Sequence, residues 1–172
     1  MSSLGDFLFA VTEWLRTTAL VDVSLWLSDT PISIFVRDHF YIIPVFQTLH
    51  ILSIAAAFGS AMMVNGHILR LVHFYGALPG TIDRFMPWLW SGLAMLILSG
   101  IGLVISDPPR ELLNAVFWIK MIFVSGIILL SAAVQLRAIH KVDAAVRLGA
   151  VVVSLLWCAA MIAGRWIYYV PV

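Results

Sequence analysis

Four long apolar runs, separated by short polar breaks and preceded by a stretch of mixed character, dominate the chain. Residues 41–64, 85–105, 116–136 and 148–170 are almost free of charge. Each approaches or exceeds the ~20 residues that a helix needs to cross a hydrocarbon core about 30 Å thick. The breaks carry Gly76, Pro79, Gly80, Pro108 and Pro109, which end helices and turn the chain, so consecutive helices are expected to pack as antiparallel neighbours. The pattern predicts an all-α protein, an integral membrane four-helix bundle forming a single membrane domain over 1–172.

Ahead of the bundle, residues 1–38 mix Phe7, Leu8, Trp14, Leu15, Leu20, Leu25, Trp26 and Leu27 with Asp6, Glu13, Arg16, Asp22 and Asp29. This suits an N-terminal amphipathic helical segment lying along the membrane surface, with tryptophan at headgroup level. Asp6 and Glu13 and the lack of a positive start read against a signal peptide, so the segment is expected to stay with the mature protein.

Composition strengthens the membrane reading. The chain is 62% hydrophobic and 11% charged, far from the balance of a soluble domain. There is no repeat and no soluble domain, and no nucleic-acid partner is expected; the bilayer itself is the first partner. The single cysteine, Cys158, lies in an apolar run and can form neither an intrachain disulfide nor a Cys-x-x-Cys site. The net charge of +1 conceals an asymmetry. One side of the membrane receives Arg70, Arg84, Arg137, Lys141 and Arg147 against Asp83 and Asp143. The other receives Asp107, Arg110 and Glu111 together with both termini. The positive-inside rule then predicts a multi-pass protein of the bacterial inner membrane with both termini periplasmic.

Polar groups at membrane depth are costly, and each is a functional candidate. His50 falls near the middle of the first span, roughly 13 Å from its start at ~1.5 Å per residue. It reads either as an interhelical hydrogen-bonding group or as an axial haem ligand, since imidazole ligates haem iron and bundle cores build such sites from facing helices. The small residues Ala55, Ala56, Ala57, Gly59, Ser60 and Ala61 follow it. His67 lies ~25 Å further along the same helix, near its cytoplasmic end, and about a quarter-turn from the His50 face. His140 ends the third span at matching depth, so a bis-histidine site between His67 and His140 is allowed, with His73 as a competing ligand. A kink at Asn65 and Gly66 would bring the two faces of the first span into line. His39 precedes the first span, where Pro44 makes a continuous helix through both histidines doubtful.

Lys120 lies roughly 9 Å inside the third span, where its ammonium needs an anion, water or a metal centre, or else snorkels to the surface. Met161 falls at similar depth in the fourth span and is a possible ligand or a packing residue. Arg70, Arg137 and Arg165, near the membrane boundaries, can neutralise haem propionates or bind lipid phosphate. Ser91, Gly92, Ser99, Gly100 and Gly102, with Ser125 and Gly126, leave bare helix surfaces that admit a porphyrin or a close helix. Met62 and Met63 point about 100° apart on a helix and make a poor ligand pair.

The run Thr48-Leu49-His50-Ile51-Leu52 followed by Gly59, then Pro87-Trp88, a glycine-rich second span and Phe117-Trp118-Ile119-Lys120-Met121 resembles a family of small bacterial four-helix membrane proteins of unassigned activity. The likeness covers most of residues 40 to 140. A looser likeness extends to membrane haem proteins of the HemJ protoporphyrinogen-oxidase type and to CopD-like proteins, with a histidine early in one helix and a lysine early in another. The resemblance implies a haem-bearing bundle with His50 and Lys120 as candidates. The chain departs from it where Asn65-Gly66-His67 stands in place of an Asp-Leu-Arg-like sequence, which adds a candidate ligand.

The leading expectation is a haem-binding b-type cytochrome for transmembrane electron transfer, with haem b as cofactor, one or two per chain, and a quinone or a periplasmic electron carrier as redox partner. Saturated ligation by His67 and His140 favours electron transfer over substrate chemistry. The alternatives are a HemJ-like porphyrinogen oxidase, a copper or small-solute transporter, and a structural subunit. The bare surfaces and the N-terminal segment point to a homo-oligomer.

Overall fold

A computed structural model of the chain describes residues 3–72, 77–167 and 169. Eight helices follow one another: α1 (Ser3–Arg16), α2 (Leu20–Ser28), α3 (Pro31–Asp38), α4 (Ile42–Ile68), α5 (Leu78–Ser106), α6 (Pro108–Leu112), α7 (Ala115–Ala138) and α8 (Ala144–Trp166). Among the described residues there is no strand. Helices α4, α5, α7 and α8 are long and apolar enough to cross a membrane. The fold is the expected all-α four-helix membrane bundle with a helical N-terminal segment.

The helix ends differ from the apolar runs because hydropathy reports burial in lipid, whereas a helix continues until its capping chemistry stops it. Helix α5 begins at Leu78 rather than 85, with a proline in its first two positions, where the missing N–H costs nothing. Helix α8 begins at Ala144 rather than 148, because the Asp143 side chain accepts a hydrogen bond from Val146 N at 2.9 Å, and it ends at Trp166 rather than 170. Helix α4 continues through Asn65 and Gly66 to Ile68. It ends in a Schellman turn: Leu71 N bonds to Gly66 O, Arg70 N bonds to His67 O, and Arg70 adopts φ 61. Glycine at 66 leaves room for Val72, whose Cγ2 would lie 2.9 Å from any Cβ there.

Helices α4 and α5 form the largest interface, α7 and α8 the next, and α4 also packs on α8. Round the bundle the order is therefore α5, α4, α8, α7, and the ring closes most weakly between α7 and α5. The α4–α5 pair approaches closely because its contact points are glycines. A Cβ on Gly92 would lie 2.9 Å from Ala57 N, and one on Gly102 would lie 2.6 Å from the Phe46 ring. Part of the bare surface of α5 is thus used for helix packing.

The core has three levels. Leu8, Ala115, Val116, Phe117, Ala163 and Ile167 pack at the end next to α6. Ala57, Leu93, Leu96, Ile127, Val153 and Trp157 fill the middle. Val64, Ile68, Ile82, Val134, Val146 and Ala150 close the opposite end. Large apolar side chains such as Ile51, Leu98, Ile122, Leu129 and Leu155 point outward, as expected of a surface solvated by lipid.

Helices α1 to α3 wrap the α6 end, with α1 on α7, α2 on α5 and α6, and α3 on α4 and α5. Their faces run against the soluble pattern. Thr12, Ser24 and Ser33 are buried, while Phe7, Phe9, Trp14, Trp26, Ile32 and Phe35 are exposed. The small hydroxyls permit close seating and then bond locally or to the bundle: Ser24 to Val21 O at 2.8 Å, Ser33 to Ile105 O at 2.7 Å. Asn114 completes the attachment. Fully buried, it caps α7 by accepting from Val116 N at 2.9 Å and donates to Ile167 O at 3.2 Å, while Thr12 accepts from Ala115 N at 3.4 Å.

Candidate functional site

His50 occupies the inner face of α4 and is 9% exposed. Its ring rests on α5 where no side chain intervenes: a Cβ on Gly100 would lie 3.6 Å from His50 Cε1. Nδ1 is 2.9 Å from Ser99 Oγ. A serine hydroxyl has one proton to give, and that of Ser99 is directed back to its own helix, 2.8 Å from Met95 O. With the Ser99 proton on Met95 O, the imidazole donates from Nδ1 and Nε2 is left as the lone-pair nitrogen; the roles of the two nitrogens follow from that tautomer. This is the arrangement in which an outer-shell acceptor fixes the tautomer and the ring angle of a ligating histidine.

Beside the ring lies a small central cavity to which all four long helices contribute, among them His50, Leu96, Lys120, Trp157 and Met161. The space that admits the centres of water molecules is about 30 Å³. The wall is almost wholly apolar. Lys120 enters from the first turns of α7 and lies against the bare backbone of α8, since a Cβ on Gly164 would be 3.9 Å from Lys120 Nζ. Among the described residues it has no carboxylate within ion-pair distance. Its nearest acidic influence is Glu111 on α6. Burial holds the Glu111 carboxyl above its ordinary range, Asp107 adds to the rise, and Lys120 and Arg110 oppose it.

His50, Lys120 and Met161 are thus brought together around one cavity. His67 and His140 are not. His67 Nδ1 is 2.8 Å from Thr81 Oγ1, which ties the end of α4 to the start of α5. His140 is exposed in the turn after α7, whose main partner is α8 rather than α4. His39 caps α3, with Nδ1 2.8 Å from Phe35 O, and shares no helix with His50. Arg70 is exposed in the α4 turn, and Arg137 is exposed in the last turn of α7. Arg165 stacks its guanidinium 5.7 Å from the Tyr169 ring centre at the α6 end. His73 lies outside the described residues.

A haem requires a donor, apolar walls and room. The free Nε2 of His50 meets the first requirement and the cavity wall the second. The bare surfaces at Gly100 and Gly164 put the imidazole and the ammonium against backbone, where no Cβ interferes. The third is unmet as the helices stand, because the space between them has room for about two waters and not for a porphyrin. Among the described residues no group of three or more His, Cys, Asp or Glu side chains converges, so a bare metal ion has no ready cage.

The sequence marks His50 and Lys120 through the cost of polarity at their depth, and Ser99 only as a small residue. Its role as the acceptor for His50 arises from pairing α4 with α5, a relation that spacing along either helix does not encode. No family model, curated protein or solved structure matches the chain.

Proposed function

We propose that the chain is a membrane b-type cytochrome holding one haem b at His50, and that it passes electrons within the bilayer of the bacterial inner membrane. The observation that carries this reading is the His50–Ser99 pair, an imidazole held through Nδ1 at the edge of the central cavity. His50 Nε2 would hold the iron and Ser99 would set the ring angle. Lys120 would supply either a second donor as the neutral amine or a cation for a propionate, and Met161 borders the same cavity. When bound, haem b supplies one-electron chemistry. The α5–α7 seam, the weakest contact of the ring, is where the helices would part to admit it.

We take one site rather than two because His67 is bonded to Thr81 and His140 is exposed in the turn after α7. The end bearing Arg70, Arg84, Arg137, Lys141 and Arg147 is assigned to the cytoplasm by the positive-inside rule, with both termini periplasmic. A quinone or a periplasmic carrier would exchange electrons at the α6 end, and the exposed apolar faces would bury one another in a homo-oligomer.

A second reading, a porphyrinogen oxidase, is favoured by one observation: the cavity carries a single histidine, so a second axial histidine does not close the iron to chemistry. Reduced-minus-oxidised spectra of the detergent-purified chain separate the outcomes. A b-type spectrum that disappears in His50→Ala supports the haem reading, and turnover of a porphyrinogen by the coloured protein moves the assignment to the oxidase. A colourless wild type that takes up no added haemin contradicts both.

A further inference from the structure

Below the His50 cavity, on the side away from α6, the core contains polar atoms that the fold leaves without partners. Ser131 Oγ, Gln135 Oε1 and Trp157 Nε1 are buried and make no hydrogen bond among the described residues, and each of the three residues is 3% exposed. Ser131 contrasts with three other serines of the long helices. Ser53, Ser99 and Ser154 each donate to a carbonyl one turn back on their own helix, which satisfies a serine in an apolar bundle. Ser131 does not.

These atoms share one region. Three contacts fix the register of α7 against α8: Lys120 meets Gly164, Gly126 meets Leu156, and Val134 meets Gly149. Ser131 therefore lies level with the stretch between Ser154 and Gly149, and Trp157 lies one turn above it, level with Ile127. Gln135 follows Ser131 by one helical turn on the same face. From α4, Asn65 donates to Ser154 Oγ at 3.1 Å. Helices α4, α7 and α8 thus bring Asn65, Ser131, Gln135, Ser154 and Trp157 to neighbouring levels of one core. Trp157 also borders the His50 cavity.

We propose that this region is a binding site for internal water, held by Ser131 Oγ, Gln135 Oε1 and Trp157 Nε1. Lipid offers such groups no hydrogen bond, and buried polar atoms left over by the fold are satisfied by ordered water, typically through two to four bonds per molecule. The mix of donor and acceptors is what a water cluster bridges and what a cation or an anion alone does not. The site gives the central cavity a hydrated neighbour on the side away from Glu111. At its far edge Gln135 and Asn65 adjoin Val134 and Val64 of the apolar layer that closes the opposite end of the bundle. The inference stands apart from the haem reading, since it concerns different atoms and survives a colourless protein.

The test is the exchange of the Trp157 indole proton in the full chain, labelled with 15N-tryptophan and embedded in phosphatidylcholine nanodiscs. The signal is assigned by its loss in Trp157→Phe. The expected result is a water cross-peak and exchange at least about tenfold faster than that of neighbouring core amides. Exchange should slow by a similar factor in Gln135→Leu and in Ser131→Ala, either of which serves if the other fails to fold. A Trp157 proton that shows no water contact and outlasts the core amides in D2O overturns the proposal. Fast exchange that neither substitution alters overturns it equally, because the water then does not rest on these side chains.

Discussion

The half of the bundle next to α6 and the half away from it are built from the same four helices but handle buried polarity in opposite ways. Next to α6, His50 and Asn114 have defined partners: His50 is bonded to Ser99, and Asn114 bonds across to Ile167. His50 and Lys120 also border the apolar cavity, as does Trp157, whose Nε1 is unpartnered, where the two halves meet, and Ser28 Oγ on α2 is buried without a partner. Away from α6, Ser131 and Gln135 lie unpaired among apolar side chains, while His67 is spent on a structural bond to Thr81. Histidine by itself therefore says little in a membrane helix. What separates the two is position: both hold Nδ1 on a hydroxyl, but His50 borders the central cavity whereas His67 ties the end of α4 to the start of α5.

The glycines give the largest expected contrast between regions. At Gly92 an added Cβ meets Ala57 backbone at 2.9 Å, whereas at Gly149 it meets only a methyl of Val134. Backbone cannot move aside, but a valine can change χ1. Gly92→Ala should thus destabilise the bundle by about 1–3 kcal/mol through overpacking. Gly149→Ala should cost less, because the gain of alanine over glycine in a helix, roughly 0.5–1 kcal/mol, offsets the strain. Thermal unfolding in one detergent, followed by circular dichroism, ranks the two; equal losses would mean that α4 and α5 are not paired as closely as described.

The anchoring of His50 is tested next. Ser99→Ala removes the Nδ1 acceptor and should weaken haem binding by about 10–100-fold while leaving His50 in place. Thr81→Ala, which takes the corresponding partner from His67, should leave haem binding unchanged. Titration of the apo-protein with haemin measures both, and equal effects would erase the distinction between the two histidines.

At the α6 end, Asn114→Ala should cost about 1–2 kcal/mol by removing a helix cap together with the bond to Ile167. It should also loosen α1, visible as earlier proteolysis within the first helix. The smallest effect expected is that of Glu111. Its carboxyl is raised in the folded protein chiefly by burial, so the fold binds that proton more tightly than the unfolded chain does. Its contribution is fully present below the unfolded value and is lost as pH rises through the folded one. Glu111→Gln should flatten this slope above about pH 4.5 in unfolding experiments.

Much of this organisation is legible in the sequence, for stated reasons. Length and apolarity announce four crossings because lipid imposes both. The ends of α5 and α8 are missed because Thr81, Asp83, Arg84 and Arg147 are polar yet helical, placed by proline and aspartate at the caps rather than by hydropathy. His50 and Lys120 stand out as polar residues at depth. The bond of His67 to Thr81 does not, because it depends on α4 pairing with α5. Gln135, in an apolar run with Ser131 one turn before it, was the available signal for the second polar region. That signal is weak, since a serine in a helix ordinarily satisfies itself.

Pyridine haemochrome quantification per chain on wild type, His50→Ala, His67→Ala and His140→Ala tests the central claim most directly. The account predicts a stoichiometry near one haem b in wild type, retained in His67→Ala and His140→Ala and lost in His50→Ala. Haem retained in His50→Ala, or lost in His67→Ala and His140→Ala alone, would place the cofactor at the other end of the bundle and contradict it.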